Sequence, residues 1–134
     1  MSHFESALKL QKLVFDKLQF ERKGFKNEKE LKYRMKVQVA SQDPVYKVTL
    51  IAEGEKEDEY TFLVSLSGFF EIDNMDVLGD KKIEELINKN AVAVLMPYLR
   101  SEVSILTAQP ETDSVILPLF NINKMLSDDK GESG

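Results

Sequence analysis

The chain has 134 residues, a formal net charge of −5, one histidine and no cysteine. Its length fits one domain, and the lack of cysteine excludes disulfides and thiolate metal sites. The proportions of 43% hydrophobic and 31% charged residues are those of a globular protein. No apolar run reaches the length of a membrane span, and Glu5 and Lys9 interrupt the region where a signal peptide needs apolar residues. We expect a cytoplasmic protein that is not inserted into a membrane.

Four segments of the first half alternate between apolar and polar residues, which is typical of strands with one buried face. The polar links Ser41 to Pro44 and Gly54 to Glu59 can each join antiparallel neighbours. We therefore predict a four-stranded antiparallel, meander-like sheet with one apolar face. The residues predicted on that face are Leu8, Leu10, Val14, Leu18 and Phe20 in the first strand, Tyr33, Met35, Val37 and Val39 in the second, Tyr46, Val48, Leu50 and Ala52 in the third, and Tyr60, Phe62, Val64 and Leu66 in the fourth.

Four other apolar residues fall on the opposite sides of these strands, namely Leu13, Phe15, Ile51 and Leu63. If they are scattered, they are isolated surface residues or contacts with another subunit. If they are neighbours in space, they form a binding patch. The sequence leaves these alternatives open.

A long helix is predicted to cover the apolar face of the sheet. It begins at Asp80 and continues through Asn90 to Gln109, a segment that is apolar nearly all round. Such a helix needs cover on more than one side, from its own domain and from something else. Pro97 removes a backbone donor and clashes with the preceding turn, so we expect a kink between Ala93 and Pro97.

The region after the helix is predicted to hold an extended connection, a short helix and a tail. Gln109 to Pro118 cannot continue the helix, because Pro110 and Pro118 bracket a short β-branched run. Asn121 or Asn123 can cap a short last helix. A single domain is expected over residues 1–126, followed by a disordered polar tail over residues 127–134.

Groups that carry catalysis are scarce in this sequence. His3 lies in a terminus that we expect to fray, and the acidic cluster from Glu53 to Glu59 lacks the spacing of a calcium loop, so a solvated hairpin tip is the better interpretation. The basic run from Lys23 to Lys36 is interrupted by Glu28 and Glu30 and favours a solvated strand and loop. We therefore expect neither an enzyme nor a nucleic-acid-binding protein, and neither a metal nor a cofactor.

Two segments of the second half carry a specific signature. Asn90 to Val103 contains Leu-Met-Pro-Tyr-Leu-Arg, and Val115 to Met125 contains Leu-Pro-Leu-Phe-Asn-Ile-Asn at the correct distance after it. Together they closely resemble the carboxyl-terminal signature of SecB, the bacterial export chaperone. The segment Val45 to Val48 and the order of strands, long helix, extended link and short helix are also similar to that family. The resemblance covers nearly the whole chain and implies an α+β, SecB-like fold with a short C-terminal lid helix.

The resemblance implies an ATP-independent chaperone, a holdase that keeps unfolded polypeptides in an apolar groove and uses neither cofactor nor nucleotide. The groove residues that it implies are Phe25, Tyr33, Met35, Val37, Phe120, Ile122 and Met125. It also implies a homotetramer built as a dimer of dimers, in which long helices meet at the central interface. The interface residues that follow from this are Ala91, Val94, Leu95 and Tyr98.

The resemblance is compatible with two functions, which differ in the partner that the chain binds. Export-type members present acidic residues on the flat sheet face to the SecA motor. Glu21 and Leu63 match that docking surface. Lys17 and Ser65, in contrast, occupy positions at or next to those where acidic residues are expected. Some relatives of this family instead serve toxin–antitoxin systems. The alternative function is therefore an adaptor that binds one dedicated partner, such as an antitoxin, without a role in export.

Overall fold

The computed structural model describes residues 8–42, 45–73 and 79–118. Its strands are β1 (Leu8–Arg22), β2 (Leu31–Gln42), β3 (Val45–Lys56) and β4 (Tyr60–Ile72). A helical stretch follows, made of α1 (Asp80–Glu85), a π-helical segment (Leu86–Ala91) and α2 (Val92–Thr107). The predicted lid helix and the predicted tail lie outside the described residues. No helix in the described ranges is long and apolar enough to cross a membrane.

The four strands form one antiparallel sheet in the order β1-β4-β3-β2. Strands β2, β3 and β4 follow one another as in a meander. β1, however, pairs with β4 and not with β2, so the predicted meander holds for three strands of the four. β1 and β2 are the edge strands of the sheet. The connection between them, residues 23–30, runs from one edge of the sheet to the other, and we call it the crossover.

The alternation predicted for β1 is wrong in its middle because the strand contains two bulges. Its register with β4 skips Gln11 and Asp16. Each extra residue reverses the face to which the following side chains point. Leu13 and Phe15 therefore pack against the core, although the sequence placed them on the polar side. Val14, predicted to face inward, lies exposed on the opposite side of the sheet.

The core lies between one face of the sheet and the helix. We call the covered face the inner face and the opposite one the outer face. α2 packs on β1, β3 and β4 of the inner face. The residues that are fully buried there include Val48, Leu50, Val64, Leu66, Phe70, Val92, Leu95, Leu99 and Val103. Ile51 and Leu63 lie on the outer face and are partly buried.

The buried residues of the helix recur at a wider spacing than one α-helical turn. Every fourth residue is buried in the series Ile87, Ala91, Leu95, Leu99, Val103 and Thr107. An α-helix has 3.6 residues per turn, so a stripe with this spacing drifts around the helix axis. We attribute the π-helical segment to this mismatch, since its wider turn absorbs part of the drift.

The helix begins at Asp80, as predicted from the sequence. The irregularity that the structure shows is the segment Leu86–Ala91, which comes before the kink predicted between Ala93 and Pro97. Pro97 itself lies inside α2.

Gly68 lies on the inner face of β4, where the helix approaches closely. A Cβ atom at this position would lie 2.6 Å from Cδ2 of Leu95 and 2.9 Å from Cε2 of Phe70. We predict that Gly68→Ala lowers the free energy of unfolding by about 1–3 kcal/mol, because a close-packed core must shift to admit the methyl group. Urea unfolding followed by circular dichroism measures this loss.

Gly79→Ala is the control for this substitution. A Cβ atom at Gly79 would have no neighbour within 4 Å. We expect its free energy of unfolding to change by less than about 1 kcal/mol. Equal losses in the two variants would contradict the packing of the helix on Gly68.

Candidate functional site

The inner face of β2 carries an apolar row that the helix leaves uncovered. We call this row the β2 strip: Tyr33, Met35, Val37 and Val39. Three of its residues pair with buried β3 positions beneath the helix, including Leu50 opposite Val37, and Tyr33 pairs with the partly buried Gly54. Because α2 packs on β1, β3 and β4, the strip is exposed at Tyr33 and Val39 and partly buried at Met35 and Val37.

The β2 strip runs beside a free strand edge. β2 is the last strand of the sheet, so its backbone N–H and C=O groups on the side away from β3 have no partner strand in the described part of the chain. Such an edge can pair with another extended chain. The strip and the edge together offer apolar contacts and backbone hydrogen bonds to the same ligand.

Phe25 is 90% exposed, yet the backbone around it is held in place. The backbone N–H groups of Lys23 and Gly24 donate to the carbonyl oxygen of Glu59 at 2.8 and 3.2 Å. Nη1 of Arg22 donates to the carbonyl oxygen of Gly24 at 3.0 Å. A Cβ atom at Gly24 would lie 2.2 Å from the carbonyl oxygen of Asp58, so the chain needs glycine to pass this close to the hairpin. The crossover thus presents an exposed aromatic ring on a fixed backbone.

Glu59 is the buried polar group that anchors this crossover. Its side chain is 1% exposed, and its Oε1 accepts hydrogen bonds from Nζ of Lys56 at 2.9 Å and from the backbone N–H of Asn27 at 2.9 Å. Burial raises the pKa of the Glu59 carboxyl. The hydrogen bonds from Lys56 and Asn27, together with the charges of Lys56 and Arg22, outweigh burial and hold this pKa below its ordinary value of 4.5.

The interpretation of the acidic cluster as a solvated hairpin tip is therefore wrong for Glu59. The tip is the short turn after Lys56, where Asp58 has a positive φ of 65°. The crossover packs over this turn and buries Glu59, an arrangement that no local pattern in a run of acids can show. Within the described ranges, no group of three or more histidine, aspartate or glutamate side chains is placed to hold a metal ion.

The chain after α2 leaves the helix at Ala108, and between residues 108 and 118 it forms neither helix nor strand. The extended connection predicted from Gln109 is interrupted by a turn, in which Glu111 has a positive φ of 60°. The connection is fastened to the helix. Oγ of Ser104 donates to the carbonyl oxygen of Val115 at 2.8 Å, and Oγ1 of Thr107 accepts from the backbone N–H of Val115 at 2.8 Å. Nε of Arg100 donates to the carbonyl oxygen of Leu117 at 3.0 Å. Val115 and Leu117 are buried, whereas Ile116 between them is exposed.

A second set of contacts ties this connection to the crossover. Arg22 donates to the carbonyl oxygen of Pro110 at 2.8 Å and also to the hydroxyl of Thr112. Nζ of Lys26 lies 3.0 Å from Oδ1 of Asp113. The connection that carries Phe25 and the connection after α2 are therefore fastened to each other at one end of the domain.

The structure brings Tyr33, Met35 and Val37 together in the β2 strip and places Phe25 in the crossover that leads into β2. Val39 belongs to the same strip, although the sequence did not single it out as a groove residue. The other predicted groove residues, Phe120, Ile122 and Met125, lie outside the described residues.

The two residues predicted to dock a motor protein share the outer face. Glu21 pairs with Thr61 and Gln19 with Leu63 on the neighbouring strand, so Glu21 and Leu63 lie diagonally across β1 and β4. Leu63 lines an open depression of about 500 Å³ together with Arg34 and Glu53. Arg34 and Lys36 each pair with Glu53, so cations and carboxylates alternate here.

The predicted subunit interface is wrong for two of its four residues. Ala91 and Leu95 are 0% exposed and lie in the core of the protomer, because both belong to the stripe that packs on the sheet. They cannot contact a second subunit. Val94 and Tyr98 are on the exposed side of the helix. That side continues through Ala93, Pro97, Ser101 and Ile105.

Comparison with known proteins identifies one relative by sequence. No family model matches the chain. An uncharacterized protein of Methanocaldococcus jannaschii, MJ0357, is 32% identical in an alignment 112 residues long that covers 75% of this chain and 70% of that protein.

Comparison with solved structures identifies a similar fold. The SecB-like chaperone Rv1957 of Mycobacterium tuberculosis, in complex with a ChAD peptide from the Rv1956 HigA1 antitoxin, matches with a TM-score of 0.67. The match covers 87% of this chain and 93% of that chain at 16% sequence identity. This likeness confirms the predicted α+β fold, a four-stranded antiparallel sheet with one long helix, as SecB-like.

The anchoring role of Glu59 predicts a specific dependence of stability on pH. Because the pKa of Glu59 is lowered in the folded protein, its stabilisation is complete above the unfolded value near 4.5 and is lost as the pH falls through the folded value. We predict that Glu59→Gln lowers the free energy of unfolding at pH 7 by about 1–3 kcal/mol, since Lys56 loses its ionised partner. The variant should also lose less stability than the wild type below pH 4.5.

Glu57→Gln on the same hairpin is the matched control. The Glu57 side chain is 75% exposed and lies 3.8 Å from Nζ of Lys29, so it should contribute less than about 0.5 kcal/mol. Urea unfolding between pH 3 and pH 7 compares the three proteins. If Glu59→Gln follows the wild type across this range, Glu59 does not anchor the crossover.

Proposed function

The chain belongs to the same family as the uncharacterized protein MJ0357 of Methanocaldococcus jannaschii and has a SecB-like fold, and on this premise we propose that it is an ATP-independent holdase for non-native polypeptides. The observation that carries this proposal is the β2 strip, an apolar row left open beside a free strand edge. A globular protein gains stability by covering such a row, so a row that stays open is available to a ligand.

The chemistry of the β2 strip fits an extended client segment. A client strand beside β2 would exchange backbone hydrogen bonds with the free edge, whatever its sequence. Its alternate side chains would bury apolar surface against Tyr33, Met35, Val37 and Val39. Selectivity would then be broad, because it depends on apolar burial and an extended backbone. Such binding needs neither catalysis nor a cofactor, and we propose that the protein is not an enzyme and acts in the cytoplasm.

An adaptor for one dedicated partner is the alternative function. The structural neighbour from Mycobacterium tuberculosis is described with a peptide from an antitoxin, and this favours a SecB-like adaptor without a role in export. The same β2 strip would serve it, with a tighter match to one sequence. Docking to SecA would engage Glu21 and Leu63 on the outer face.

Assembly into a homotetramer is part of the proposal. The exposed side of the helix carries Val94 and Tyr98 together with Ile105, and a row of large apolar residues on a helix favours burial against another surface. A second copy of the same helix would supply that surface.

A test of the holdase function removes apolar surface from the β2 strip. We predict that wild-type protein at near-stoichiometric amounts suppresses light scattering by a heat-unfolding client. The double variant Tyr33→Ser/Val39→Ser should bind the client at least about tenfold more weakly, since two exposed apolar contacts are lost. Its melting temperature shows whether the fold is intact.

Lys32→Ser/Gln38→Ser on the outer face of the same strand is the matched control and should protect the client as the wild type does. If wild-type protein at saturation leaves aggregation unchanged while it remains folded, the holdase proposal fails. Pull-down from a native lysate then separates the two functions, because a holdase recovers many clients and an adaptor recovers one.

The proposed assembly has its own test in the exposed side of the helix. Val94→Glu and Tyr98→Glu should each convert a tetramer into smaller species, because a carboxylate would be buried in the interface without a partner. Lys81→Gln, which changes the net charge by the same amount, should leave the mass unchanged. Native mass spectrometry measures the three variants, and a wild-type mass for both glutamate variants would place the interface elsewhere.

A further inference from the structure

The middle of the outer face carries an aromatic ring between two lysines. Nζ of Lys12 lies 4.8 Å from the centroid of the Phe69 ring, and Nζ of Lys47 lies 5.8 Å from it. The three residues stand side by side on β1, β4 and β3. The bulge at Gln11 produces this arrangement, since without it Lys12 would face inward.

Lys17 extends this positive surface along β1. We call Lys12, Lys17, Lys47 and Phe69 the basic patch. In the described part of the chain, no carboxylate lies within 4 Å of the ammonium group of Lys12, Lys17 or Lys47. Other lysines of the chain do have such partners, among them Lys9, Lys26, Lys29, Lys36 and Lys56.

The carboxylate nearest to the patch in sequence is already engaged. Asp16 is the second bulged residue of β1, and it accepts a hydrogen bond from the hydroxyl of Ser67. Ser67 is in turn hydrogen-bonded to the hydroxyl of Thr49 at 2.8 Å. Asp16 keeps its negative charge in this hydrogen bond, and Glu71 lies one row beyond Phe69 on the same face. The three lysines therefore leave a local excess of positive charge on a protein whose net charge is −5.

We propose that the basic patch docks a short acidic segment of a partner polypeptide. A carboxylate placed between the ammonium groups of Lys12 and Lys47 would accept charge-assisted hydrogen bonds from both. The ring of Phe69 holds both lysines near one point, which lowers the entropy lost when they close on a ligand. This surface lies on the opposite face from the β2 strip, so the proposal does not depend on the holdase function.

The size and surroundings of the patch favour a polypeptide over nucleic acid. Residues 12–17 of β1 span roughly 15 Å, which matches about four or five residues of an extended chain. The neighbouring rows of the outer face carry Glu71 at one end of the patch and Glu21, Glu53 and Glu55 at the other. A phosphate backbone that continued along the strands would meet these carboxylates, whereas a short acidic segment would end before them.

The test uses a fluorescently labelled hexapeptide of alternating aspartate and glutamate and the full-length protein. We expect saturable binding that weakens as salt is added, and at least tenfold weaker binding of the corresponding asparagine–glutamine peptide. Lys12→Gln/Lys47→Gln should weaken binding of the acidic peptide at least tenfold and leave client protection unchanged.

Lys32→Gln/Lys81→Gln is the matched control, since it removes the same charge from two exposed lysines outside the patch. It should alter the affinity less than twofold. Equal losses in the two double variants would mean that net charge alone attracts the peptide and would overturn the proposal. A loss in Tyr33→Ser/Val39→Ser would place the peptide on the β2 strip and overturn it too. Tighter binding of a single-stranded DNA of equal charge would overturn the choice of a polypeptide partner.

Discussion

The helix is narrower than the four-stranded sheet on which it packs, and this difference determines which part of the sheet is covered. An α-helix with its side chains is about 10–12 Å across, whereas four strands spaced about 4.8 Å apart span roughly 14 Å between the outermost axes. One helix cannot cover both edges of such a sheet. Here α2 packs on β1, β3 and β4, and the inner face of β2 stays partly open. Within residues 8–42, 45–73 and 79–118, the β2 strip is therefore left without a covering element.

The end of the sheet that carries the connection between β1 and β2 is held by polar contacts in addition to the stacked rings of Phe20 and Tyr60. Glu59 and Lys56 form a buried ion pair whose carboxylate also fixes the backbone of Asn27. A buried pair of this kind adds modest net stability, but loss of one partner leaves a charge without compensation. Such a contact specifies one position of the crossover. That is what allows Phe25 to remain exposed and still be presented from a defined backbone.

The sequence predicted the parts of the fold in which apolar and polar residues alternate without interruption. Alternation located β2, β3 and β4 and their inner faces, because the register of these strands has no bulge. It failed in β1, where the bulges at Gln11 and Asp16 reverse the pattern twice. It also misplaced Ala91 and Leu95, because a helix that is apolar nearly all round does not show which side meets its own sheet. Burial of Glu59 depends on a contact between distant segments, which a local pattern cannot contain.

The β2 strip and the basic patch lie on opposite faces of one sheet, and each follows from a different departure from ideal geometry. Incomplete cover by the helix opens the strip, and a bulge in β1 turns Lys12 toward Phe69 to complete the patch. Since a sheet separates them, a ligand on one face leaves the other face accessible. The two surfaces also select by different chemistry, apolar burial on one side and charge on the other. Under the two proposals, a client on the β2 strip and a partner on the basic patch would therefore not compete for the same residues.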